Sequence, residues 1–339
     1  MKSYRHASFL ALILASACGI FFTNYYLAAA ASYTRLFYYR PSAAADQALF
    51  SHPNSINILA PQTYALASDG TLTGSTSPVI RTFATAHGIK IMPLVTNGSF
   101  QPSVYQAILN NPTAQTAAIA ALVAEAKKQG YWGWQIDFEP MNAVYRDRFS
   151  AFVATTAAAL HKNGLELSVA VVAQTSDNPA DYPKNFWQTT AGVFDYAALA
   201  KNADFLSIMS YDDPLSGGPI VEYPWLKKVL TYSLTRVPAE KISLGIPLYY
   251  WQWNNRTGKR IGIGGAAAFT TLLKAHASGT SFAYSAYEQE PLFHYQHYVV
   301  WYENTRSLTK KISLIKSDGL YGFSAWRLGL ETPAIFRSF

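Results

Sequence analysis

Cysteine is nearly absent: Cys18 is the only one in 339 residues. Beyond that position there is no thiol, which excludes a cysteine nucleophile, a thiolate metal site and a disulfide framework. Charge is sparse as well, with 14% of residues being Asp, Glu, Lys or Arg. That composition excludes a disordered polyelectrolyte. The net charge is a modest +7. The basic residues are scattered rather than clustered, so no nucleic-acid footprint is present and no nucleic-acid partner is expected. The chain also lacks internal repeats, a low-complexity linker and a glycine-rich phosphate loop after its first predicted strand. What it has is apolar residues, at 50%, enough for a large core.

The N-terminal segment stands apart. Lys2, Arg5 and His6 precede an apolar run from Ala7 to Phe22, and small residues follow at Ala28–Ala31. Residues 1–31 read as a signal peptide or an N-terminal membrane anchor. Either reading predicts an exported protein that is secreted, periplasmic or attached to the cell envelope through residues 7–31.

From Arg35 onward, short apolar runs alternate with helical patterns. The predicted strands are Leu36–Tyr39, Ile56–Ala60, Lys90–Val95 and Gly133–Glu139, then Glu166–Ala173, Phe205–Tyr211, Ile242–Leu248 and Leu320–Trp326. Continuous apolar runs suit parallel strands covered by helices on one side. Helices are predicted over Ser77–His87, from a cap at Thr113 to Gly130, and over Tyr145–Asn163. This alternation predicts an α/β fold, a (β/α)8 TIM barrel over residues 35–339. A doubly wound open sheet is the alternative. Residues 254–319 are too long for one loop and carry their own helix and strand patterns. They are expected to form a small α+β insertion between strands 7 and 8, walling the barrel mouth. A monomer is expected.

The run Gly133-Trp134-Gln135-Ile136-Asp137-Phe138-Glu139 concentrates the chemistry. Side chains alternate along a strand, so Gln135, Asp137 and Glu139 share the inward row, and Trp134, Ile136 and Phe138 pack under helices. By the same parity Trp132 falls on the outward row. Two acids in an apolar strand cost free energy unless they are paired or used. They stand at the C-terminal strand end, where barrel enzymes carry catalysis. They read as a catalytic pair or as a structural polar cluster.

Here the sequence resembles glycoside hydrolase family 18, the chitinase family, whose signature is D-x-x-D-x-D-x-E. Asp137 and Glu139 fill its last two places. Met209-Ser210-Tyr211-Asp212 resembles the family's M-x-Y-D on strand 6. Leu244-Gly245-Ile246-Pro247 resembles its strand 7 pattern, and Trp326 the tryptophan ending strand 8. The insertion, with Val300 to Ser307, looks most like the bacterial spore-cortex and cell-wall N-acetylglucosaminidase branch. Two positions depart from the pattern: Trp132 stands for the first Asp and Gln135 for the middle one. An amide there removes a like charge from beside Asp137, which by itself favours ionisation of Asp137.

The resemblance implies hydrolysis of a polysaccharide containing β-linked N-acetylglucosamine, peptidoglycan first and chitin second. It implies a substrate-assisted retaining mechanism with no cofactor. Glu139 would be acid and base, with a pKa raised by burial and by Asp137. Asp137 would hold the acetamide N–H, and Tyr211 the acetamide oxygen. Trp326 would form the sugar floor, with Ser324 and Gly322 leaving room for the ring. Met209, Asp212 and Gln135 would shape the pocket, and Tyr38, Tyr64 and Asn97 are further substrate-contact candidates. Trp251, together with Tyr249, Tyr250 and Trp253, is a candidate for outer sugar subsites. A non-catalytic, lectin-like protein on the same scaffold is the competing reading. No metal site is expected. His294 and His297 could share a helix face, but they lack an acidic partner.

Overall fold

The computed structural model describes residues 33–339; the segment 1–31, expected to be a signal peptide or anchor, lies outside the described residues. Eight parallel strands close into a barrel. They are β1 (Thr34–Tyr39), β2 (Ile58–Leu66), β3 (Lys90–Ile91 and Leu94–Asn97), β4 (Gly133–Asp137), β5 (Glu166–Val172), β6 (Phe205–Met209), β7 (Ile242–Pro247) and β8 (Gly322–Trp326). Each pairs with the next, and β1 closes the ring by pairing with both β2 and β8. Pro93 has no N–H to offer the ladder, and β3 is split around it. A short antiparallel strand, Leu72–Gly74, folds back on the end of β2.

The helices α1 (Ala43–Ser51), α2 (Pro78–Ala86), α3 (Pro102–Asn110), α4 (Pro112–Gln129), α5 (Arg146–His161), α6 (Tyr196–Asn202) and α7 (Tyr223–Leu234) surround the barrel. The start of α4 corrects the expected cap. Asn111, not Thr113, is the N-cap, and its Oδ1 accepts from the Thr113 amide at 3.0 Å. Pro112 occupies the first helical position, where its missing N–H is harmless. Gly130 ends the helix at φ 69°, a left-handed conformation. The α4 helix covers the outward row of β4, where Trp134 is fully buried and its indole N–H donates to Leu122 O at 2.9 Å. Truncating such a side chain to alanine costs about 3–5 kcal/mol.

The barrel interior is layered. Leu36, Ile58, Met92 and Phe205 form an apolar lower plug. Trp132 packs against this plug, which corrects its assignment to the outward row. Its amide donates to Ile91 O at 2.8 Å and that of Gln135 to Pro93 O at 3.0 Å, so three steps along this chain match two along β3 and the alternation slips between them. Above lies a belt of buried polar side chains from five strands. Gln135 Nε2 donates to Ser168 Oγ and Ser207 Oγ, both at 2.8 Å. Ser207 bonds Ser324 at 2.8 Å, and Ser324 bonds Ser243 at 2.6 Å. Ser324 is therefore a belt member. Gly322 also differs from its expected role: a Cβ there would meet Thr34 O at 1.9 Å, so it serves the close approach of β1.

Between β7 and β8 the chain builds a five-stranded antiparallel sheet in the order Lys259–Gly264, Tyr250–Asn254, Tyr298–Trp301, Glu290–Tyr295, Thr280–Ser285, with helix α8 (Ala266–Ala275). It has its own core of Tyr250, Phe269, Phe293, Tyr295 and Val300. The sheet begins at Tyr250, before the predicted edge. The following helix, α9 (Thr305–Ser317), sends Leu308, Ile312 and Ile315 into the main core and so belongs to the barrel. Lys311 of α9 is 1% exposed, and its Nζ reaches Glu290 at 3.0 Å and Glu303 at 2.5 Å. This buried ion triad ties the inserted sheet to the barrel helix. His294 lies in a strand and His297 in the turn after it, not on one helix face.

Candidate active site

A cavity of about 630 Å³ opens at the C-terminal ends of the barrel strands. Asp137, the last residue of β4, and Glu139, two residues on, both line it. The parity argument holds past the strand end because Asn97 fixes the loop: its buried Oδ1 accepts the Glu139 amide at 3.0 Å, and its Nδ2 donates to Gln101 O. Asn97 thus supports the acid from behind and does not face the cavity.

Both carboxyls are perturbed upward. Burial, and then the charge of Glu139, pushes Asp137 well above the usual range. Removing one like charge at position 135 does not leave Asp137 easily ionised, since burial dominates. Burial, and then the charge of Asp212, raises Glu139 to about 7. The expected neighbour was Asp137; with Asp137 held towards its neutral form, Asp212 is the charge that Glu139 meets. The two titrate as a pair. Asp137 Oδ1 is buried with no hydrogen-bond partner, as is Gln135 Oε1 one layer below. Gln135 is fully buried in the belt, so it supports the floor rather than lining the cavity.

The end of β6 supplies Met209, Tyr211 and Asp212, all on the cavity wall. A Cβ at Gly245 would lie 2.9 Å from Tyr211 Cε1, so the glycine leaves space for that ring. Burial raises the Tyr211 pKa well above its ordinary value, keeping its hydroxyl a proton donor. Tyr249 donates its O–H to Asp212 Oδ1 at 2.6 Å. Trp326 ends β8 and lines the cavity, with its ring 5.1 Å from that of Tyr38 on β1. The inserted sheet contributes Ile263 and Gly264 to the mouth, as a wall.

Two further expected substrate contacts fall elsewhere. A register shift between Gln62 and Tyr64 on β2 reverses the parity there. Gln62 lines the cavity instead, while Tyr64 turns outward and its O–H donates to Glu125 at 2.9 Å under α4. Trp251 is 2% exposed and lies off the cavity. It packs on Trp253 with the Arg260 guanidinium 4.2 Å from its ring centre. Of the four aromatics after β7, Tyr249 alone reaches the cavity. Arg40, Gln62 and Arg327 were missed. Gln62 follows Ala60 on the inward row, which was a usable signal; Arg40 and Arg327 lie beyond strand ends, where parity lapses.

Among the described residues, His161, Glu166 and Asp204 are the group whose potential metal-ligand atoms lie within 4.8 Å of one another. They lie at the opposite end of the barrel, where Asp204 already accepts from the Leu167 amide and pairs with His161. No described helix is long and apolar enough to cross a membrane.

Comparison with known proteins places the arrangement in context. The family described as "Glycosyl hydrolases family 18" matches residues 31–331. The chain is 28% identical over 310 residues to the uncharacterized glycosylase YvbX of Bacillus subtilis, covering 87% of each. It is 31% identical over 288 residues to the cortical fragment-lytic enzyme of Bacillus anthracis, covering 79% of this chain and 64% of that one. The solved chitinase of Chromobacterium violaceum superposes with a TM-score of 0.79 at 29% identity, covering 91% of this chain and 98% of that one.

Proposed function

The chain belongs to glycosyl hydrolase family 18 and is a glycoside hydrolase, and from that premise we propose that it cleaves β-linked N-acetylglucosamine glycans, peptidoglycan ahead of chitin, by a substrate-assisted retaining mechanism. The observation that carries the proposal is the meeting of Asp137, Glu139, Tyr211 and Trp326 around one cavity. Peptidoglycan takes precedence because of the likeness to a cortical fragment-lytic enzyme.

The steps follow from the site. A sugar stacks on Trp326, which offers a large apolar face. Its 2-acetamido N–H donates to the Asp137 carboxyl on the cavity wall. The Tyr211 hydroxyl, kept protonated, donates to the acetamide oxygen and aims it at the anomeric carbon. Glu139, with a pKa of about 7, is matched to give a proton near neutrality. It protonates the glycosidic oxygen as the acetamide oxygen forms its bond to the anomeric carbon. The aglycone leaves and an oxazolinium ion remains. The growing positive charge is stabilised by the Asp137 carboxyl oxygen that accepts the acetamide N–H. Glu139, now a carboxylate, removes a proton from water, which opens the ring from the original face and restores the β anomer.

The basic start and the apolar run from Ala7 to Phe22 support a further proposal, that residues 1–31 direct export. The test is incubation of the purified protein, and of Glu139→Gln, with peptidoglycan fragments and chitin oligosaccharides. Products are read by mass spectrometry and anomeric configuration by NMR. Turnover with retained configuration, lost in the variant, is expected. Binding without products from the unmodified protein would overturn the mechanism.

A further inference from the structure

Two cationic side chains on the cavity wall take no part in bond cleavage. Arg40 lies just past β1 and Arg327 just past β8, and both line the cavity. The strands are neighbours: Phe37 pairs with Ala325, and the Leu328 amide donates to Tyr38 O at 3.0 Å. The two arginines therefore stand on adjacent strand ends beside the Trp326 floor. Arg40 is exposed and Arg327 half-buried. Burial, and then the Arg40 charge, pushes the Arg327 pKa down. Among the described residues, neither guanidinium has a carboxylate within 4.0 Å. Glu331 is the carboxyl that acts on Arg327. It is buried, and burial raises its pKa to about 7, so it is only partly charged near neutrality.

Two like charges held together without a counter-ion cost free energy. A neutral glycan, with hydroxyls and acetamides alone, relieves little of that cost. A carboxylate relieves much more, because each guanidinium presents a planar fork of N–H donors that fits its two oxygens. Resting on the hydrolase reading above, we propose that Arg40 and Arg327 form an anion subsite. It takes a carboxylate carried by the glycan next to the sugar on Trp326, such as the 3-O-lactyl carboxylate of a muramic-acid residue. The pair sets the enzyme's preference for an acidic amino-sugar polymer over neutral chitin. The carboxylate has two sources in such a polymer. The lactyl carboxyl is free on a bare muramyl sugar; where a peptide is attached it becomes an amide, and the peptide brings carboxyls of its own.

The full-length protein is assayed on tetrasaccharides of equal length: four N-acetylglucosamines, an alternating N-acetylglucosamine–N-acetylmuramic acid form with free lactyl carboxyls, its methyl ester, and its peptide-bearing form. In the double variant Arg40→Gln, Arg327→Gln, the ratio of kcat/KM on the free-acid to the neutral tetrasaccharide should fall about tenfold, which equals about 1.4 kcal/mol. The fall should appear in KM, and the unmodified protein's preference should weaken with salt. The methyl ester should behave as the neutral substrate does. Arg40→Lys should keep part of the preference. A loss confined to the peptide-bearing form retains the subsite and assigns the carboxylate to the peptide. An unchanged ratio with every substrate overturns the proposal. If the unmodified protein cleaves none of them, the substrate reading fails on its own account. Calorimetric binding by Glu139→Gln, with and without the arginine changes, then decides the subsite. Weaker binding of the acidic glycan supports it, and equal binding overturns it.

Discussion

Replacing Glu139 with glutamine should abolish turnover and yet make the folded protein more stable at alkaline pH. The Glu139 carboxyl rises from 4.5 in the unfolded chain to about 7 in the site. The folded state therefore binds this proton more tightly than the unfolded state does. Its contribution is fully present below about pH 4.5 and is lost as pH rises through about 7. At about 1.36 kcal/mol per unit, the whole penalty is about 3 kcal/mol above that window. Between about pH 5 and about pH 8 some 2–3 kcal/mol of it develops, because the unfolded glutamate is already mostly ionised at the lower value. Glutamine has no such dependence. The stability of Glu139→Gln relative to the unmodified protein should therefore rise by about 2–3 kcal/mol over that interval. Titrating groups remote from Glu139 cancel in the difference, and Asp137, which the Glu139 charge raises, changes with it. Urea denaturation of both proteins at the two pH values measures it. A gap that stays constant with pH would show that Glu139 titrates in the usual carboxylate range, and the acid role assigned to it near neutrality would lose its basis. The same group should appear in kinetics, as a fall in kcat/KM when pH rises through about 7.

Three further outcomes are expected. Asp212→Asn removes the charge that helps to raise Glu139, so the alkaline limb of kcat/KM should move to lower pH, by about one unit or less; an upward move would contradict the assignment. Tyr211→Phe removes the hydroxyl aimed at the acetamide oxygen, and kcat should fall about a hundredfold with little change in stability, as steady-state kinetics on an N-acetylglucosamine oligosaccharide would show. Lys311→Met leaves Glu290 and Glu303 buried without their cation, and should cost about 3–5 kcal/mol in urea denaturation.

Much of this protein was legible in the linear order of residues. The alternation of apolar runs and helical patterns specified parallel strands covered by helices, because such a strand needs apolar residues on both faces, and closure into a barrel was the reading preferred over an open sheet. The period of two along Gly133–Asp137 put Asp137 on the inside and Trp134 on the outside, and the structure has both there. Those inferences use only neighbours within one element, where backbone geometry sets direction.

Tertiary structure decided what depends on two or more elements at once. The bulge that turns Tyr64 away from the row shared by Ala60 and Gln62 is set by the register between β2 and β3. The belt joining Gln135, Ser168, Ser207, Ser324 and Ser243 needs five strands at one level. The pKa of Glu139 depends on Asp212, which lies far along the chain but close in space. Arg40 and Arg327 become a pair only because β1 closes on β8. Side-chain direction is a local property of the backbone and can be read along the chain. Register, burial and the distance between charges are properties of the closed barrel, and they exist only once its strands have met.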